Sequence, residues 1–267
     1  VSDVWQKVRS GLGLADELVI DCHTHMGPWY NFHIPKDPGP VGMIAAMDRG
    51  GVDNVVCAPH VGIGPDPTLA NKLVAEAHTR FAERFMCYIT VSPRHLESEM
   101  LGELERWCGQ PGFVGIKIHP GTHEYPADGP NYAPMWRFAD ENGLPVLIHT
   151  WESSRECGPL MFVALGKEFP GAKIILGHSG GTSNGMDQAM EAAREHENLF
   201  LDLTSSWLPY GKLEELCGIV GAERVLFGTD LPFVDCLAQI GRVAEARISD
   251  DDKRLVFGLN AKRVFGC

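Results

Sequence analysis

His23 and His25 stand one residue apart at the end of the apolar run Leu18-Val19-Ile20-Asp21-Cys22-His23-Thr24-His25. Neutral imidazoles ligate divalent metals, and a run this short and β-branched predicts a strand buried on both faces. Side chains at i and i+2 of a strand share a side, which would set the two rings together at its C-terminal end, spaced for one metal ion. On a helix the same pair would diverge. The pattern recurs: of eleven histidines, His23, His25, His60, His119, His149 and His178 close apolar runs, and Asp230 closes Val225-Leu226-Phe227-Gly228-Thr229-Asp230. Imidazoles with one carboxylate, and no thiolate among them, suit Zn²⁺ or another divalent transition metal.

The elements that must position these groups alternate along the chain. Eight predicted strands lie at 18–25, 54–60, 85–91, 113–119, 145–150, 173–178, 199–205 and 225–231. Amphipathic stretches at 41–49, 68–84, 96–109, 132–142, 158–169, 186–197, 211–222, 236–247 and 250–265 predict helices. The third helix is expected to start with Ser92 as N-cap and Pro93 at its first position, the last with Ser249 and Asp252 as a capping box. Strands alternating with helices pair in parallel, so eight such units predict an α/β fold, a single-domain (β/α)8 TIM barrel over residues 1–267. An open doubly wound sheet would carry a Gly-x-Gly-x-x-Gly turn after the first strand, where this chain has histidines. In a barrel, functional groups gather at the C-terminal ends of the strands, the level of the six histidines and Asp230.

A net charge of −12 with no run of five Lys or Arg excludes a nucleic-acid or anionic-membrane partner. No stretch approaches 18 consecutive apolar residues and the first residues hold no apolar leader core, so a soluble cytoplasmic protein is expected. The eight cysteines include no Cys-x-x-Cys and are read as reduced. The expected partner is a small-molecule substrate, and assembly into a homo-oligomer is left open.

His-x-His closing strand one, Val146-Leu147-Ile148-His149 closing strand five, Leu176-Gly177-His178-Ser179-Gly180-Gly181 at strand six and Phe227-Gly228-Thr229-Asp230 at strand eight resemble the amidohydrolase superfamily. The likeness is to its amidohydrolase-related branch, which holds the aminocarboxymuconate semialdehyde decarboxylase type, and runs on to Gly258-Leu259-Asn260-Ala261. It implies that His23, His25, His149 and Asp230 bind one metal ion and that His178 polarises the metal-bound water or the substrate. A divalent metal lowers the pKa of bound water to roughly 7, and Asp230 beside that water could take its proton and return it to a leaving group.

Asp21 could orient a metal histidine, since alternation places it on the same face two residues lower. Lys117, in Val114-Gly115-Ile116-Lys117-Ile118-His119, has three readings: a carbamylated bridge between two ions, as in two-metal superfamily members; a cationic substrate contact; or a layer lysine paired with Asp202. Substrate contact is favoured. Loop residues Trp29, Tyr30, His33, His123, Glu124, Tyr125, Ser205 and Trp207 are further candidates, and His119, Trp151 and Arg155 are expected substrate contacts.

The expected activity is metal-dependent hydrolysis of a small polar metabolite by one metal-activated water. A nonoxidative decarboxylase or C–C cleaving enzyme, a lactone or ester hydrolase, and a catalytically silent metal-binding barrel are the alternatives. Hydrolysis is preferred because some seventeen residues, Met26 to Gly42, separate the metal pair from the next helix, which predicts a small cover and ready water access.

Overall fold

The computed structural model describes residues 3–11, 14, 16–31, 33–205, 207 and 209–267. Eight strands, β1 (Ile20–Thr24), β2 (Asn54–Cys57), β3 (Phe85–Thr90), β4 (Phe113–Ile118), β5 (Pro145–His149), β6 (Lys173–Gly177), β7 (Leu199–Asp202) and β8 (Val225–Leu226), pair in parallel in chain order. Each lies inside the apolar run that predicted it. β8 meets β1 through Cys22 N–H to the Phe227 carbonyl (2.9 Å), Asp230 N–H to the His23 carbonyl (2.9 Å) and His25 N–H to the Leu231 carbonyl (2.7 Å). These bonds close the (β/α)8 barrel and set the metal-ligand candidates of β1 and of the segment after β8 side by side.

Alternation along the strands builds two apolar layers. One, with Val56, Tyr88, Leu147, Ile175, Phe200 and Leu226, fills the barrel; the other, with Val55, Phe85, Ile116, Ile148, Leu176 and Leu201, packs against the helices. β1 breaks the rule once. Its pairing with β2 runs from Asp21 opposite Val55 to Thr24 opposite Cys57, so β1 spends one extra residue there. A bulge of this kind re-aims side chains: Cys22 joins the barrel interior, yet His23, the next residue, reaches β7 from the same side.

The helices are α1 (Asp3–Arg9), α2 (Pro40–Gly50), α3 (Pro67–Arg80), α4 (Glu97–Trp107), α5 (Pro120–His123), α6 (Ala133–Glu141), α7 (Phe162–Glu168), α8 (Ser183–Glu195), α9 (Lys212–Val220), α10 (Cys236–Glu245), α11 (Asp250–Arg254) and α12 (Asn260–Phe265), with a π-helical segment Leu255–Leu259 joining the last two. α1 and the single turn α5 carry too short a period to be predicted. α4 begins later than expected: Ser92 Oγ accepts from Arg94 N–H in a preceding turn, and the Glu99 carboxylate accepts from Leu96 N–H at the true start. Ser249 caps α11 as expected, its Oγ accepting from Asp252 N–H. Among the described residues no helix is long and apolar enough to cross a membrane.

Candidate active site and metal centre

His23, His25 and Asp230 converge at the β1–β8 seam, with one ligand atom from each lying within 4.8 Å of the others. Each imidazole is oriented from behind. His23 Nδ1 donates to Asp202 Oδ2 at 2.6 Å and His25 Nδ1 donates to the Ala58 carbonyl at 2.8 Å, which leaves both Nε2 atoms as lone pairs facing the cluster. His25 Nε2 stands 3.4 Å from Asp230 Oδ1. Burial works against ionising Asp230, but the contact with His25 and the ring of histidines hold its carboxyl well below the usual range. Two imidazole lone pairs and an ionised carboxylate facing one another fit a divalent cation, which would bridge groups that otherwise repel.

The motif glycines have a spatial reason. A Cβ on Gly177 would meet the Ile148 carbonyl at 2.5 Å and His23 Cε1 at 3.1 Å, and one on Gly228 would meet Thr204 Oγ1 at 2.2 Å and His23 Cβ at 3.1 Å. Both positions are emptied so that His23 can lie between β6 and β8. The next residues carry strain: His178 has φ +62°, Ser179 +46° and Asp230 +70°. Left-handed backbone at non-glycine residues is costly and clusters at functional sites. Here it turns His178 and Asp230 into the mouth of the barrel.

His178 Nδ1 donates to the Thr204 carbonyl at 3.0 Å, leaving Nε2 free, and its ring centroid lies 4.8 Å from His23 and 4.5 Å from His149. His149 stacks on His119 at 4.0 Å between centroids. His119 Nδ1 accepts from Thr122 N–H, so in its neutral form the proton sits on Nε2. Burial drives His23, His119, His149 and His178 below the usual imidazole value; Lys117 adds to the effect at His23 and His119, and His119 adds to it at His149. All four are neutral at pH 7, the form a ligand or proton acceptor requires.

A cavity of about 330 Å³ opens over this floor. His25, His119, His149, His178, Ser205 and Asp230 supply its polar surface, and Trp29, Tyr30, Ile63, Trp151 and Phe233 its apolar walls. Asn31, Thr122 and Val234 complete the lining. The structure therefore brings together His25, His119, His149, Trp151, His178 and Asp230, with His23 beneath them. His149 lies outside the compact group of three ligand atoms, on the cavity wall. Arg155 is exposed and does not line the cavity. Lys117 is buried with Nζ 3.0 Å from His23 Nε2, below the lining, where burial lowers its pKa to about 8 against the pull of Asp202 and Asp230.

Asp21 does not orient a ring. The β1 bulge takes it off the histidine face, and its carboxylate accepts from Thr229 N–H (3.1 Å), Thr229 Oγ (2.5 Å) and His23 N–H (3.1 Å), tying β1 to the end of β8. The orienting carboxylate is Asp202, which also accepts from Thr204 N–H at 2.6 Å and from His178 N–H at 3.3 Å. Phe233 is a further residue missing from the sequence reading. It follows Asp230 by three, a spacing that was itself the available signal.

The amidohydrolase family model matches residues 20–267. The chain belongs to the amidohydrolase family. It is 26% identical over 255 residues to the gamma-resorcylate decarboxylase of Rhodococcus jostii, covering 73% of the chain and 75% of that protein. It is 24% identical over 262 residues to the 2-keto-4-carboxy-3-hexenedioate hydratase of a Sphingobium species, covering 78% and 74% respectively. The fold is shared with the 5-carboxyvanillate decarboxylase of Novosphingobium aromaticivorans, solved with manganese and 4-hydroxy-3-methoxy-5-nitrobenzoic acid: TM-score 0.74 at 17% identity, over 95% of this chain and 97% of that one.

These relatives correct the expectation of a hydrolase, since they are named as a decarboxylase and a hydratase and favour the decarboxylase alternative. The inference from loop length failed for a physical reason. Aromatic side chains of several loops wall the cavity, Trp29 and Tyr30 after β1, Trp151 after β5 and Phe233 after β8, so the length of the first loop alone does not measure the cover.

Proposed function

We propose that the protein is a metal-dependent nonoxidative decarboxylase of a small carboxylated substrate bearing an aromatic or similarly flat ring. The observation that carries this reading is the make-up of the cavity: aromatic walls above a floor of neutral imidazoles and one carboxylate, with no Arg or Lys among its described lining residues. An anionic substrate entering it would meet countercharge only at a cation held by His23, His25 and Asp230. The decarboxylase relative points the same way.

His23, His25 and Asp230 would hold a single divalent ion, with His149 as the fourth ligand. Such an ion supplies Lewis acidity and the positive charge that an anionic substrate needs. Zinc and manganese both suit the donor set.

In the reaction the bond between the ring carbon and the carboxylate breaks, its electron pair stays on carbon, CO₂ leaves and one proton takes its place. Asp230 and His178, both unprotonated at rest, would take that proton from water and pass it to the ring carbon. Asp230 stands at the cavity floor, and His178, fixed by the Thr204 carbonyl, presents a free Nε2. His119, with its Nε2 proton, is positioned to donate to the substrate. Trp29, Trp151 and Phe233 hold the ring and exclude water, which matters because charge developing on carbon is quenched by solvent protons outside a controlled path.

The reading is tested by assaying manganese- and zinc-loaded protein for CO₂ release from a panel of hydroxylated benzoates. Metal-dependent CO₂ release from at least one member supports it. Addition of water to an unsaturated carboxylic acid with no CO₂ from any substrate would replace it with a hydratase.

A further inference from the structure

A second cavity, of about 510 Å³, lies next to the first and is walled by Met26, Trp29, Tyr30, Val61, Leu69 and Leu73. Its surface is almost wholly apolar, unlike the polar floor beside it. Trp29 and Tyr30 line both cavities, so the two adjoin along these side chains.

His60 stands at the joint. It lines the apolar cavity, and its ring centroid is 4.9 Å from that of His25 and 4.4 Å from that of Phe233, both of which line the metal-site cavity. His60 Nδ1 donates to the Gly27 carbonyl at 2.7 Å, which leaves Nε2 as an acceptor. That atom is buried and has no hydrogen-bond partner among the described residues, on a side chain only 1% exposed. His60 therefore packs against the walls of both cavities.

We propose that the apolar cavity is a subsite of the active site, taking an apolar substituent of a few carbons, alkyl or aryl, carried by the substrate whose carboxylate lies over the metal cluster. This rests on the decarboxylase reading for where the carboxylate sits, and on the cavity alone for the substituent. Continuity through Trp29, Tyr30 and His60 selects a substrate group over a separate ligand. The 330 Å³ of the metal-site cavity is at the small end of ligand cavities, about 300–1,000 Å³.

The test is calorimetric titration of manganese-loaded protein with benzoate, 4-butylbenzoate and 4-butylphenol. Each methylene removed from water contributes about fourfold in affinity, so 4-butylbenzoate is expected to bind at least about tenfold tighter than benzoate. Leu69→Glu, at a side chain 42% exposed, and Tyr30→Ser, at one 74% exposed, alter the cavity wall at positions the fold tolerates. In each, the ratio of the two affinities is expected to fall to within about threefold. A ratio near one in the wild type, or a ratio that survives both variants, would overturn the subsite. Self-association abolished by Leu69→Glu, without any preference for the butyl group, would overturn it in favour of a second copy of the chain on this face. Binding of 4-butylphenol equal to that of 4-butylbenzoate, and weakened by both variants, would uphold the subsite while removing the carboxylate-binding reading.

Discussion

Asp202 Oδ2 accepts the Nδ1 proton of His23 at 2.6 Å, a bond from the end of β7 to the end of β1 that passes behind the metal-ligand cluster. Both groups are fully buried. Burial pushes the Asp202 carboxyl up to about 6 and the His23 imidazole well down, so near neutrality an ionised carboxylate holds a neutral ring with its lone pair on Nε2. The tautomer that a metal needs is thereby set by a residue that touches no metal.

Asp202→Asn is therefore predicted to weaken metal binding by about 10- to 100-fold while leaving the secondary structure intact. The amide can donate to Nδ1 and favour the tautomer whose proton lies on Nε2. Metal affinity by equilibrium dialysis checks this, with circular dichroism as the control for folding. An unchanged affinity would show that the ring is oriented by its packing between Gly177 and Gly228.

The ligand set makes its own prediction. The protein should bind about one equivalent of zinc or manganese, and His23→Ala with His25→Ala should reduce this to near zero. Elemental analysis after desalting gives the answer, and wild-type metal content in the double variant would refute the assignment.

Lys117 competes for the same lone pair, its Nζ standing 3.0 Å from His23 Nε2. Two like charges about 4 Å apart repel by about 4 kcal/mol at an effective dielectric of 20. Lys117→Met should therefore raise metal affinity at least about tenfold, and the stoichiometry should stay at one ion. Weaker binding in the variant, or two ions in the wild type, would show instead that Lys117 is part of the metal site.

His178→Asn is expected to keep its metal and lose about 10² or more in turnover, the usual cost of losing acid–base or polarising help. Asp230→Asn should nearly abolish turnover. Should His178→Asn lose metal, His178 is a ligand.

Acid should destabilise the metal-free protein. Burial lowers His60 to about 3 and His123 to about 4 from the ordinary imidazole value of 6.5, and lowers His23, His119, His149 and His178 as well. Between these values the unfolded chain binds protons that the buried histidines refuse, so their contribution is complete above about pH 6.5 and falls as pH drops toward 4, offset in part by Asp202, raised to about 6, and Asp21, raised to about 8, which hold protons that the unfolded chain releases. Thermal melts across that range should show Tm dropping, with a shallower slope in His60→Phe. A flat profile would mean that the buried rings take up protons at no cost.

Much of the architecture was legible because its signals are local. Apolar runs and helical periods mark all eight strands, and the histidines at the run ends mark the candidate rim. What escaped depended on contacts between distant segments. The β1 bulge arises from pairing with β2 and moves Asp21 off the histidine face, which no alternation rule foresees. Asp202 could be proposed as a partner for Lys117, yet its bond to His23 follows from barrel closure. Arg155 lies four residues after Trp151, but the chain turns outward between them and leaves the guanidinium in solvent. The chemistry itself was misread because a metal-ligand set serves hydrolysis and decarboxylation alike, and the cover was judged by the length of one loop when several contribute to it.

If this site removes a carboxylate and replaces it with a proton, the exchange can be followed with the metal-loaded protein in D₂O and a hydroxylated benzoate that it consumes, quantifying CO₂ and the ring positions by NMR. One CO₂ per molecule of product and a single deuterium at the carbon that bore the carboxylate are expected. A product that keeps its carboxylate and gains the elements of water would contradict this.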